Sequence, residues 1–252
     1  MDDLGPRVAI VTGGGRGIGI AIVSRLHDDG ALVVTCGRGV RPETLHEDIV
    51  WVQADVSRSA DANRIVEVAS GYGNISVLVN NAGVQIEKTI RDTTDDDWSD
   101  VVDTNCRGVF NMSRAVLPIM EKSGGCIVNL GSISGNVADP SMAIYNASKA
   151  FVHGLTRSIA VDHGPMVRCN AVCPGWIMTA MAESGFGLAD DPEKAKADAI
   201  ARHPARRFGA PSDIANAVAW LVSDQASFVT GQLFTIDGGL TAASPLQPGL
   251  LS

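Results

Sequence analysis

The chain has 252 residues, 45% of them hydrophobic and 19% charged, with a formal net charge of −8. That is enough apolar material for a sizeable core, and α/β sheets of this length commonly form one domain, so residues 1–252 are expected to fold as a single unit. The acidic balance leaves no basic stripe for neutralising phosphates, which excludes nucleic acid as a partner.

No apolar run reaches the 18 residues of a membrane span, and residues 1–7 carry acid where a signal peptide carries base; no membrane partner and a cytoplasmic location are expected. Five cysteines (36, 106, 126, 169 and 173) are scattered without a Cys-x-x-Cys pair and read as small core residues. None of the five histidines makes a His-Glu-x-x-His pair or stands at zinc-ligand spacing from a cysteine, so no metal site is expected.

Apolar, β-branched runs recur at 7–11, 31–35, 49–53, 76–79, 126–130, 167–172 and 232–236. Helical patterns fall between them at about 18–29, 58–70, 95–121, 143–163, 192–202 and 212–222. This alternation predicts an α/β fold, a doubly wound, Rossmann-like parallel sheet of about seven strands with helices on both faces. Ligands in such sheets bind beyond the carboxyl ends of the strands. The second and third runs lie only about a dozen residues apart and Pro42 interrupts them, so a full crossover helix hardly fits there. Asp95-Asp96-Asp97 precedes the third helical pattern and is expected to cap it and complement its dipole. The tail 241–252 reads either as an arm or as a disordered end.

The first strand runs into Thr12-Gly13-Gly14-Gly15-Arg16-Gly17-Ile18-Gly19 and then into a helix. Strand, glycine turn and helix N-terminus make a phosphate cradle, because glycine lets backbone approach a pyrophosphate and the helix offers free N–H groups. The spacing is Gly-x3-Gly-x-Gly and no Lys-Ser/Thr follows, so it is not a triphosphatase loop. A dinucleotide site usually has Asp or Glu at the end of the second strand to hold the ribose hydroxyls. Here Gly37 fills that position, followed by Arg38, with Arg16 inside the glycine turn. Two guanidiniums and no carboxylate favour the 2′-phosphate of NADP(H), with NAD(H) as the alternative and two solvated surface arginines as the bland reading.

The fifth run ends in Ser132-Ile133-Ser134, and thirteen residues after Ser132 comes Tyr145-x3-Lys149. On a helix that spacing puts phenol and ammonium on one face. Neither serine is centred as Gly-x-Ser-x-Gly requires, which rejects a serine-hydrolase elbow.

In these motifs the chain resembles the short-chain dehydrogenase/reductase family. The resemblance runs from Arg7 to Gly239 through Thr12 to Gly19, Asp55-Val56, Asn80-Asn81-Ala82-Gly83, Asn105, Ser132, Tyr145-x3-Lys149, Pro174-Gly175 with Thr179, Thr230-Gly231-Gln232 and Asp237-Gly238-Gly239. It implies an NAD(P)-dependent oxidoreductase acting on a secondary alcohol or ketone. By that resemblance Tyr145 is the general acid and base, and Lys149 holds the nicotinamide ribose and lowers the tyrosine pKa. Ser132 bonds the substrate oxygen, and Asn105 anchors a water on the proton path. Gly13, Arg16, Gly17, Ile18 and Gly19 would cradle the pyrophosphate, Arg38 the 2′-phosphate, Asp55 and Val56 the adenine. Asn81, Ala82 and Gly83 would pass beneath the adenosine side, while Pro174, Gly175, Ile177 and Thr179 would meet the nicotinamide. The short second connection departs from the family pattern at the adenine-side wall.

A mobile substrate lid is implied near 180–203, where Met181, Phe186 and Leu188 would line an apolar pocket with Trp176 at its mouth, or else pack the lid on its own core. The family also implies a homotetramer, or a dimer, paired through the helices near 95–121 and 143–163. A non-catalytic dinucleotide-binding regulator or scaffold, and an epimerase or dehydratase, remain as alternatives on the same fold.

Overall fold

All seven apolar runs enter one sheet. The computed structural model describes residues 7–179 and 190–243. The strands are β1 (Arg7–Thr12), β2 (Leu32–Gly37), β3 (Val50–Gln53), β4 (Asn74–Asn80), β5 (Gly125–Leu130), β6 (Val167–Pro174) and β7 (Leu233–Ile236). They are parallel throughout, in the order β3-β2-β1-β4-β5-β6-β7. The order reverses between β1 and β4, and the crevice beyond their carboxyl ends is where such a sheet receives a ligand.

Successive strand residues face opposite sides, so each strand feeds two cores. From β1, Val8 and Ile10 join the core beneath α2 (Ser59–Ser70), α4 (Gly108–Ser123) and α5 (Ala143–Asp162). Ala9 and Val11 join the core beneath α1 (Gly17–Asp28) and α7 (Pro211–Val222). Burial on both faces explains why the strands read as nearly unbroken apolar runs.

The connection from β2 to β3, residues 38–49, holds no helix among its residues. It is organised by Arg41, whose guanidinium donates to the carbonyls of Pro42 (3.3 Å), Leu45 (3.2 Å), His46 (2.6 Å) and Ile49 (3.3 Å). Leu45 and Ile49 are buried beneath it, each contributing roughly 1.5–3 kcal/mol against exposure.

The expected helix at 95–121 is interrupted. α3 (Asp95–Val102) passes through a π turn (Asp103–Arg107) into α4, which runs on to Ser123. The N-terminus of α3 is capped by Thr94, whose side chain accepts from the Asp97 amide, while Asp97 accepts back from the Thr94 amide and from Lys88 Nζ at 2.6 Å. Of the acidic triplet it is thus Asp97 that closes the cap, and Lys88 and these hydrogen bonds hold its carboxyl down to about 2. The expected lid falls partly on α6 (Pro192–Arg202); Met181, Phe186 and Leu188 lie outside the described residues, as does most of the tail 241–252. Among the described residues no helix is long and apolar enough to cross a membrane.

Candidate active site

The glycine turn is shaped by the ends of β1, β2 and β4. Thr12 Oγ1 accepts from the amides of Asn81 and Ala82, both at 3.0 Å, and Asn81 Nδ2 donates back to Thr12 O (2.9 Å) and Gly13 O (3.1 Å). Gly13 turns the chain at φ +67°, and its Cβ, if present, would stand 3.0 Å from Ala82 Cα. A Cβ on Gly19 would overlap Gly13 O, so the start of α1 packs directly onto the turn. Arg16, the N-cap of α1, is extended and offers no side-chain cap. The amides of the first helical turn are therefore left for an anion.

Trp51 of β3 lies over Gly37, where a Cβ would stand 2.7 Å from the indole, and it shares with Pro42 the cover over Gly15. These two residues wall the glycine turn on the side of the short connection. Arg38 is exposed beside it and lines a cleft together with Gln53, Asp55, Arg58, Asp61 and Arg64. Arg64 is engaged by Asp61 at 2.7 Å, and Asp61 also receives the Asp55 amide. Val56 is buried against Gly108.

Ser132, Tyr145, Lys149 and Asn105 come together beyond the ends of β4 and β5. Tyr145 lies in the first turn of α5 and hydrogen-bonds Ser132. Burial pushes its phenol above the ordinary value; the Ser132 bond opposes this, and the Asp139 carboxylate adds to the rise. Lys149 is one helical turn on and buried, with Nζ donating to Leu130 O at 2.7 Å and standing 5.6 Å from the Tyr145 ring centre. Burial pulls this ammonium down to about 8. Lys149 Nζ is directed at the Leu130 carbonyl, and burial is the largest cause acting on the phenol. Among the described residues Leu130 O is the one hydrogen-bond acceptor of Nζ, which leaves donors that fit ribose hydroxyls.

Asn105 sits in the π turn, a bulge often found at functional sites. Its side chain is engaged at both ends: Oδ1 accepts from Val84 N (2.8 Å), keeping a second lone pair, and Nδ2 donates to Val84 O (2.9 Å) and Ser148 Oγ (3.0 Å). Gly83 lies against it, 3.3 Å from Oδ1 to an ideal Cβ. At the far side, Gly175 is pressed against Asp237 with no room for a side chain, Ile177 bridges to Gly209, and Thr179 stands over Gly17. Ile18 lies on α1 beside this edge, and Pro174 closes β6.

Four contributors went unassigned in the sequence. Ser132 Oγ donates to Ser134 Oγ (3.0 Å), which donates to Asp139 Oδ2 (2.5 Å). Ser148 joins Asn105 to α5. His153 lies beneath the Ser132 loop, its ring filling the space that side chains on Gly131 and Gly135 would need, with Nε2 3.2 Å from Cys173 Sγ. Its spacing of four from Lys149, on the same helical face, was the available signal.

A family model described as Enoyl-(Acyl carrier protein) reductase matches residues 13–241. The chain is 40% identical over 247 residues to 2-(S)-hydroxypropyl-CoM dehydrogenase 3 of Xanthobacter autotrophicus, covering 93% of this chain and 96% of that protein. It is 37% identical over 244 residues to 3-oxoacyl-(acyl-carrier-protein) reductase of Staphylococcus epidermidis, covering 92% and 98%. Ligand-free aldohexose dehydrogenase of Thermoplasma acidophilum superposes with a TM-score of 0.91 at 35% identity, covering 97% of this chain and 98% of that one.

Proposed function

The chain belongs to the short-chain dehydrogenase/reductase family and is an NAD(P)-dependent oxidoreductase exchanging a hydride with a ketone or secondary alcohol; on that footing we propose that it prefers NADP(H) and that Tyr145 is its acid and base. The observation that carries the cofactor preference is Trp51 lying over Gly37. A carboxylate there, which would hold a ribose 2′-hydroxyl and repel a 2′-phosphate, has no space, while Arg38 and Arg58 stand at the same cleft.

Gly13, Arg16, Gly17, Ile18 and Gly19 hold the pyrophosphate, and Arg38 the 2′-phosphate. Asp55 and Val56 meet the adenine, Asn81, Ala82 and Gly83 the adenosine side, and Pro174, Gly175, Ile177 and Thr179 the nicotinamide. The cofactor supplies or accepts the hydride. In reduction the Ser132 hydroxyl turns its single proton from Ser134 to the oxygen on which charge develops, and Tyr145 gives that oxygen its proton. Lys149 holds the ribose, and its charge favours the phenolate left behind. Asn105 anchors a water through which the proton is replaced. The substrate is mainly apolar: Trp176, at the mouth beyond β6, stacks on Phe208 with ring centres 6.3 Å apart. The chain works in the cytosol as a homotetramer; five buried free thiols support a reducing compartment.

Titration of the purified protein with NADPH and NADH, followed by cofactor fluorescence, tests the reading. NADPH binds at least tenfold more tightly, and Arg38→Ala erases the difference; equal binding in the wild type overturns the preference. Tyr145→Phe lowers kcat by about 10²–10⁴ and leaves NADPH binding within a few-fold.

A further inference from the structure

We propose that His27, His46 and Asp48 form a surface site for a divalent transition-metal ion, Zn²⁺ being the best fit, that ties the last turn of α1 to the connection between β2 and β3. The expectation of no metal site rested on sequence spacing, and these histidines are brought together only by the fold. One ligand atom from each of the three residues lies within 4.8 Å of the others. The two imidazole rings stand 4.8 Å apart, centre to centre, at 36°.

Tetrahedral zinc with bonds of about 2.0–2.1 Å sets its ligand atoms roughly 3.4 Å apart. His46 Nδ1 and Asp48 Oδ2 are already at 3.5 Å. His46 and Asp48 are exposed and His27 is half-buried, so rotation of side chains has only to bring the third donor in by up to about 1.4 Å. The Asp48 amide donates to His46 Nδ1 at 3.3 Å. That nitrogen therefore carries a lone pair, engaged in a long hydrogen bond to the Asp48 amide that a metal would replace.

One feature orders the site and another favours a cation. Arg41 grips the His46 carbonyl at 2.6 Å, fixing the backbone from which His46 projects. His27 lies in the last turn of α1, where the helix dipole is negative. Two imidazole nitrogens with one carboxylate select zinc or its transition-metal neighbours over Mg²⁺ and Ca²⁺, which prefer all-oxygen shells. The same connection carries Pro42, which covers Gly15, so the ion would brace the wall beside the glycine turn.

Isothermal titration of tag-free, chelator-stripped protein with ZnCl₂ and with MgCl₂ tests the site. The wild type takes one zinc per chain at micromolar affinity and no magnesium. His27→Ala and His46→Ala each weaken zinc binding at least tenfold, Asp48→Asn weakens it less, and His163→Ala, at the separate pair with Glu121, leaves it unchanged. Melting curves without zinc agree among all variants, showing that they fold, and zinc raises the melting temperature of the wild type and of His163→Ala alike but not that of His27→Ala or His46→Ala. Zinc affinity that survives both histidine substitutions, or no binding by the wild type, overturns the proposal; cofactor titrations are unaffected by either result.

Discussion

Asp139 reaches toward Tyr145 through two hydroxyls. A carboxylate only accepts, so Ser134 must donate to it and Ser132 in turn donates to Ser134. The negative charge at the end of this chain adds to burial in raising the Tyr145 pKa. Asp139→Asn removes that contribution, and the rise of kcat/KM with pH in alcohol oxidation moves to lower pH, by up to about one unit. An unmoved profile means that Asp139 does not act on Tyr145. His153 carries a second pH effect. Burial, then the charges of Lys149 and Arg157, pull its pKa from the ordinary 6.5 to about 4. Below pH 6.5 the unfolded chain takes a proton that the folded chain refuses until about pH 4. This contribution is full above 6.5 and lost between 6.5 and 4, amounting to about 3 kcal/mol at most. Urea denaturation at pH 7 and pH 5 should show a smaller acid loss for His153→Gln than for the wild type.

At the scale of elements, the cover of Trp51 over Gly37 makes cofactor choice a matter of packing as well as charge. Gly37→Asp alone is expected to lower the melting temperature without creating NADH preference, because its Cβ meets the indole at 2.7 Å. Gly37→Asp with Trp51→Val has the room and should bind NADH more tightly than NADPH, by fluorescence titration. The strands and helices were legible to within one or two residues, since burial on both faces writes each strand as an apolar run and each helix as a 3.6-residue period. The π turn at Asp103–Arg107 was not: one extra residue in a turn leaves that period almost unchanged, and only the backbone hydrogen bonds reveal it. Ser132, Tyr145, Lys149 and Asn105 were legible through the resemblance of their motifs to the family's, and the structure brings them together. Asp139 and His153 were not, because their contacts with Ser134 and Cys173 form only in the fold, and the four-residue spacing of His153 from Lys149 was its one trace in the sequence. Trp51 belongs to the same group, being one strand over from the glycine it covers.

For the whole molecule, the apolar residues left in the open say more than those inside. Trp98 on α3, Phe110 on α4 and Phe151 on α5 are all exposed, on the helices expected to pair subunits. Isolated apolar side chains are ordinary on a surface, whereas aromatics set along neighbouring helices suit a subunit interface. Light scattering should return a mass near four times 26.3 kDa, and Phe151→Asp should reduce it; a clean monomer in the wild type sinks the tetramer. The sealed thiols have a practical corollary. Burial raises Cys36, Cys106, Cys126 and Cys173 to about 11 and Cys169 further still, so none offers an accessible thiolate near neutrality. A single cysteine introduced at exposed Val137, beyond the Ser132 loop, would thus be the sole fast-reacting position on the native chain. A dye attached there could follow events at the mouth of the site in real time, with no native cysteine having to be removed first.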